Sequence, residues 1–172
     1  MESQSIRVSG IVGQSIVDGP GLRLVVFTQG CPHRCYKCHN PETHDFEGGY
    51  DLSIEEILGE LDKNPLLKGL TLSGGEPLSH AAKLLPLARR VKQRGKDLIC
   101  FTGYTLEELL AQMEGDPPLA ELLAEVDLLV DGRYDHSQRD LTLRFRGSKN
   151  QRVLDLPASL ARKEAVWAAG EW

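Results

Sequence analysis

Leu22-Arg23-Leu24-Val25-Val26-Phe27-Thr28-Gln29-Gly30-Cys31-Pro32-His33-Arg34-Cys35-Tyr36-Lys37-Cys38 decides how this chain is read. Its first seven residues form a short, nearly continuous apolar run, the pattern of a strand buried on both faces. The loop over residues 29–49 follows and carries three of the chain's four cysteines. A disulfide framework would spread an even number of cysteines along a small secreted chain. Here three crowd into the eight residues 31–38, and Cys100 stands alone in an apolar strand, where it reads as a small buried hydrophobe. The clustering favours a metal site.

The spacing Cys-x3-Cys-x2-Cys admits two chemistries. A cubane iron–sulfur cluster takes four thiolates, one per iron, so three closely spaced cysteines leave one iron open to another ligand. An open position is what a catalytic metal needs. The rival is zinc, for which Cys31, Cys35 and Cys38 with His33, His39 or His44 would make a closed structural Cys3His site. Taken as loop residues, His33 and His44 read as solvated rather than ligating, and His80 and His136 carry no signal of their own.

Outward from this stretch, apolar runs alternate with helical patterns, as in βα units around a largely parallel sheet. Ser53 and Glu56 make a Ser-x-x-Glu capping box before Ile54, Ile57, Leu58 and Leu61, which share one helical face. Leu70-Thr71-Leu72-Ser73 predicts a second strand, ending in the turn Gly74-Gly75-Glu76-Pro77. A helical stretch covers 79–94, with Pro86 predicting a short first turn or a kink and a regular helix from about there. A third strand is expected over 97–102, a helix opened by the Thr105/Glu108 box, a short helix over 119–126, and a fourth strand at 128–130 ending at Asp131. A strand over 152–156, a helical tail over 158–167 and an edge strand over 6–12 complete the count.

The fold expected is α/β, an open partial (β/α) barrel with five or six strands in one domain, residues 1–172. A closed eight-unit barrel takes about 250 residues, with a minimum near 200, and this chain has 172. Ligands gather at the carboxyl ends of the strands in such folds. The cysteine loop and the Gly-Gly-Glu-Pro turn therefore share one rim, which Thr102, Gly103 and Asp131 also face. Glycine lets the backbone approach closely there, and the carbonyls of Gly74 and Gly75 can accept from an ammonium group. Glu76 either accepts a further bond or fixes the turn. Asp131 either orients a ligand or caps a helix or loop.

The bulk numbers exclude other classes. A net charge of −5 without a Lys/Arg block argues against nucleic-acid or membrane-surface binding. No apolar run approaches the roughly 18 residues of a membrane span. Met1-Glu2-Ser3-Gln4-Ser5 lacks the basic-then-apolar order of a signal peptide. A cytoplasmic protein is expected.

Cys-x3-Cys-x2-Cys after a first strand, with Gly-Gly-Glu-Pro about 40 residues on after a second, resembles the radical S-adenosylmethionine enzymes. Asp18-Gly19-Pro20-Gly21, Gly147-Ser148-Lys149-Asn150-Gln151-Arg152 and the short length narrow the resemblance to the activating proteins of anaerobic ribonucleoside-triphosphate reductase, over about residues 17–156. Cys38-His39-Asn40-Pro41 is also similar to the longer activating enzyme of pyruvate formate-lyase.

The resemblance implies a [4Fe-4S] cluster on Cys31, Cys35 and Cys38, with S-adenosylmethionine chelating the open iron. One electron, from a low-potential donor such as flavodoxin, breaks the S–C5′ bond. The resulting 5′-deoxyadenosyl radical takes a hydrogen atom from a glycine of the reductase. Lys37, Cys38 and His39 would meet the adenosine end, unless His39 instead caps the loop. Gly74, Gly75 and Glu76 would meet the methionine ammonium, Thr102 and Asp131 the rest of the cofactor, and Asn150 either meets the cofactor or holds the last strand. Arg133 reads as a solvated surface residue, and Arg152 either meets the cofactor or holds the last strand. One departure stands out. Many members have an aromatic residue just before the third cysteine, where this chain has Lys37, with Tyr36 one position earlier.

Overall fold

Four parallel strands form the middle of the sheet: β2 (Arg23–Thr28), β4 (Gly69–Gly74), β5 (Asp97–Phe101) and β6 (Leu128–Asp131). The protein is described by a computed structural model covering residues 4–170 and residue 172. The reading of Met1–Ser3 as no signal lies outside the described residues. Among those, seven strands are found rather than five or six. β1 (Ser5–Ser15) pairs antiparallel with β2, and β3 (Tyr50–Ser53) pairs antiparallel with β1. β7 (Arg152–Asp155) closes the far side antiparallel to β6. The order is β3-β1-β2-β4-β5-β6-β7, an open sheet in which only β1 and β7 run against the rest.

β1 is therefore an interior strand, not the expected edge. The strand that covers it reads Tyr-Asp-Leu-Ser, too short and polar to announce itself by alternation. It borrows its pairing from β1 in the register Ser5–Ser53 to Val8–Tyr50.

Successive strand residues face opposite sides. One side carries the rows Leu24–Leu70–Leu98 and Val26–Leu72–Cys100–Leu129–Leu154, in register across neighbouring strands. These join a single core with the apolar faces of α1 (Ile54–Asp62), α2 (Ala81–Gln93), α3 (Leu106–Met113), α4 (Pro117–Glu125) and α5 (Leu156–Arg162). Each leucine buried this way contributes roughly 1.5–3 kcal/mol relative to exposure. Cys100 lies in this core, fully buried, as expected. Val25, Thr71, Ile99 and Val130 face the other side, also buried but outside that core. The segment over 15–21 lies against this second face. Asp18 O accepts from the Thr71 hydroxyl at 2.8 Å, and a Cβ on Gly19 would sit 2.5 Å from Ile99.

Both capping boxes form as the sequence predicts, at Ser53/Glu56 and Thr105/Glu108. Two helices differ. Regular helix begins at Ala81, after a 3-10 turn at Pro77–His80, not at Pro86. Pro86 removes the amide that would meet the Ala82 carbonyl, but Ala82 is exposed, so water can take that bond. The tail helix spans only Leu156–Arg162. Lys163 adopts φ 56°, and the chain turns back so that Asp155 N bonds Val166 O and Ala168 N bonds Val153 O beside β7.

Candidate functional site

The rim at the carboxyl ends of β2, β4, β5 and β6 holds the cysteine loop. Its ends are pinned together: Gly30 N bonds Thr43 O at 2.6 Å, and Cys31 N bonds His44 O at 3.2 Å. Gln29 braces the return, its side-chain amide donating to Glu42 O and Asp45 O at 3.0 and 2.6 Å. Within the loop, Arg34 and Lys37 take φ 52° and 54°, each just before a cysteine. Left-handed backbone costs a non-glycine residue roughly 1–2 kcal/mol, a cost met here because the turns swing Cys35 and Cys38 toward Cys31.

All three cysteines line one cavity of about 120 Å³, which they share with Gly74, Gly75 and Phe101. Each sulfur has a backbone amide directed at it: His33 for Cys31, Tyr134 for Cys35, and Asn40 for Cys38 at 3.4 Å. Burial pushes the Cys31 and Cys35 thiols up, and these amides partly offset it. For Cys31 the charges of Glu76, Cys35 and Cys38 add to the rise. Amides aimed at sulfur are the contacts that tune a cluster's potential.

The Gly-Gly-Glu-Pro turn is knitted to the start of the loop. Gly75 N bonds Thr28 O at 2.9 Å, and Glu76 N bonds Gly30 O at 2.8 Å. Gly74 has φ +100°, and a Cβ on Gly75 would lie 2.4 Å from Gly30 O. Only glycine allows this approach. Glu76 is fully buried and fixes the turn. It caps the following 3-10 turn through Leu78 N at 3.0 Å and accepts from Gly103 N at 2.8 Å and the Thr102 hydroxyl at 2.8 and 2.9 Å.

A second cavity, about 410 Å³, adjoins the first and shares Cys38, Ser73, Phe101, Tyr134 and Gln151 with it. His39 opens onto it, its ring T-shaped against Tyr134 with the ring centres 4.8 Å apart. Val17, Asp18 and Leu141 are also on its wall, and Val17 and Leu141 are exposed apolar side chains.

The structure thus brings Cys31, Cys35, Cys38, Gly74, Gly75 and Thr102 to the first cavity and His39 to the second. It places three others elsewhere. Lys37 is exposed, its ammonium 5.6 Å over the Tyr36 ring. Asp131 is buried, accepting from Leu106 N at the start of α3 and from Arg152, which holds the last strand. Asn150 donates to Arg133 O at 2.7 Å, and Arg133 pairs with Glu108 rather than standing solvated.

His33 is not a solvated loop residue: its side chain is 5% exposed and bonds Glu76. Nor is His44, whose Nε2 is buried without a hydrogen-bond partner among the described residues and which lines the cysteine cavity. Tyr134, Phe101 and Gln151 were missed in the sequence. Phe101 ends a strand on the inner face, a position alternation alone could have flagged; Tyr134 and Gln151 lie in irregular chain that carries no such signal.

Among the described residues, no three His, Cys, Asp or Glu side chains are drawn together tightly enough to hold a single metal ion. Three thiolates lining one cavity beside the orphaned His44 Nε2 fit a cluster that takes each thiolate on a different iron and leaves one iron open.

A three-cysteine cradle on an open α/β rim defines a single-cluster iron–sulfur protein, and residues 17–154 match the 4Fe-4S single cluster domain family. The protein from Pasteurella multocida named anaerobic ribonucleoside-triphosphate reductase-activating protein is 41% identical over 79% of this chain and 89% of its own. The protein of that name from Escherichia coli K12 is 35% identical over 80% and 91%. The chain belongs to the family of anaerobic ribonucleoside-triphosphate reductase-activating proteins. Among solved structures, QueE from Escherichia coli aligns over 59% of this chain and 53% of its own, at 19% identity and TM-score 0.47.

Proposed function

We propose that this protein is a radical S-adenosylmethionine enzyme of the partial-barrel type that installs a glycyl radical on anaerobic ribonucleoside-triphosphate reductase. The observation that carries the reading is the meeting of the three cysteines with Gly74 and Gly75 around one cavity that opens into a larger one. A [4Fe-4S] cluster with S-adenosylmethionine, when bound, supplies reductive cleavage of the S–C5′ bond to methionine and a 5′-deoxyadenosyl radical able to take a glycine hydrogen atom.

The chain's own residues do the rest. Cys31, Cys35 and Cys38 hold three irons and leave the fourth for the cofactor. The carbonyls of Gly74 and Gly75 accept from the methionine ammonium. Tyr134 and Phe101 would give the larger cavity the aromatic walls for the adenosine end that position 37 lacks, and His39 would close one side. Glu76, Thr102 and Asp131 support this rim from behind, and Lys37 and Asn150 lie at its outer margin. The sheet's second face, covered by loops instead of helices, gives a segment of the partner access past Val17 and Leu141.

The low-potential electron donor, flavodoxin or its like, acts from outside the cradle. No helix among the described residues is long and apolar enough to cross a membrane, and we read residues 1–172 as one unit working in the cytoplasm. The names of its relatives favour the reductase as partner over pyruvate formate-lyase. Anaerobic reconstitution with iron and sulfide tests the chemistry. A brown protein that releases 5′-deoxyadenosine when reduced supports it; cleavage persisting in Cys35→Ala, or stoichiometric zinc without sulfide, overturns it.

A further inference from the structure

His33 lies midway between two cysteines and ligates nothing in the reading above, yet it occupies a built pocket. Its Nε2 is 2.6 Å from Glu76 Oε1. Its floor is the backbone of Gly103, where a Cβ would stand 2.4 Å from the imidazole Cδ2. Its wall is the Tyr104 ring, edge-on at 4.5 Å. Every other group around the Glu76 carboxylate is a donor: Leu78 N–H, Gly103 N–H and the Thr102 hydroxyl. His33 Nε2 completes the set as an N–H donor.

One buried carboxylate therefore ties the middle of the cysteine loop to the ends of β4 and β5. The backbone pins at Gly30 and Cys31 fix only the ends of that loop. Between them the backbone makes local turn bonds, such as Cys38 N to Cys35 O at 3.2 Å and Thr43 N to Asn40 O at 3.0 Å, and the imidazole is the side chain that ties the span carrying Cys31 and Cys35 to the sheet rim.

We propose that His33 is a positioning residue for the cluster, a latch seated on Glu76 that keeps Cys31 and Cys35 spaced for the irons. The proposal rests on the cluster reading and deepens it. Its consequence is that the latch governs how firmly the cluster is held, apart from whether the chain folds. An unlatched loop lets its thiolates swing away from iron, so a chelator gains entry.

The test compares wild type with His33→Ala, His33→Gln and Gly103→Ala after anaerobic reconstitution. Gly103→Ala pushes the ring off its floor without removing any polar group. Iron release to a chelator without S-adenosylmethionine is timed, and the reduced clusters are examined by EPR. Thermal unfolding of each cluster-free chain reports the fold. We expect His33→Ala and Gly103→Ala to release iron at least tenfold faster, with altered EPR g values. His33→Gln, which keeps a donor, stays within threefold of wild type. Wild-type release rates in both His33→Ala and Gly103→Ala overturn the latch, as does equal acceleration in His33→Gln and His33→Ala. Should His33→Ala not fold, Gly103→Ala and His33→Gln decide alone. A wild-type chain that takes up no iron and sulfide sinks the cluster reading instead, a separate result.

Discussion

At Gly75 a single hydrogen separates a working rim from a blocked one. The missing Cβ would lie 2.4 Å from Gly30 O and 2.9 Å from Thr43 O, both in the backbone that pins the cysteine loop. Backbone cannot yield as a flexible side chain can, and overpacking of this kind costs about 1–3 kcal/mol. Gly75→Ala is therefore expected to lower the unfolding midpoint and to cut iron loading well below wild type, as denaturant titration and iron and sulfide analysis will show. Lys163 makes the opposite case. It ends α5 at φ 56°, where glycine is favoured, so Lys163→Gly should raise stability by about 0.5–1 kcal/mol, the relief of left-handed backbone less the extra chain entropy glycine loses on folding, with cluster loading unchanged.

Among the elements, α3 is the one whose ends matter most to the rim. Its first turn is held by the Thr105/Glu108 box, by Asp131 at Leu106 N, and by Arg133 on Glu108. Thr105→Ala should cost about 1 kcal/mol in chemical denaturation. The Arg133 hydrogen bond, with Thr105 N–H behind it, lowers Glu108 from an ordinary 4.5 to about 2. A carboxylate depressed on folding stabilises above its unfolded pKa and loses that contribution as pH falls through the folded one. Stability should therefore decline between about pH 4.5 and 2, less so in Glu108→Gln. The pair is partly exposed, so salt should shrink the effect. A pH profile identical in the two proteins would contradict this.

The capping boxes of α1 and α3 were legible because two positions three residues apart declare each of them, and the parallel strands because their apolar runs are continuous. β3 was not legible. Its four mostly polar residues become a strand only when β1 lies beside them. The same limit hid His33, whose partner Glu76 is 43 residues away and whose neighbours Pro32 and Arg34 are exposed. Local pattern reports on local contacts, and the site is assembled from distant ones.

At the scale of the whole molecule, the sheet divides the labour. Among the described residues, five helices bury one face and loops cover the other, so the stabilising core and the cavity at the rim lie back to back. The motif pair, cysteine loop and Gly-Gly-Glu-Pro turn, was readable from the sequence as a shared rim because both follow parallel strands. The cavity behind the rim was not, since Tyr134 and Gln151 reach it from irregular chain. A second face covered by loops rather than helices also suits an enzyme whose substrate is a segment of another protein. The direct test is EPR of the anaerobic reductase after incubation with the reconstituted, reduced protein and S-adenosylmethionine. The account predicts a glycyl radical doublet on the reductase that is absent when Cys35→Ala replaces wild type. No radical with the wild type, or the same signal with Cys35→Ala, would contradict it.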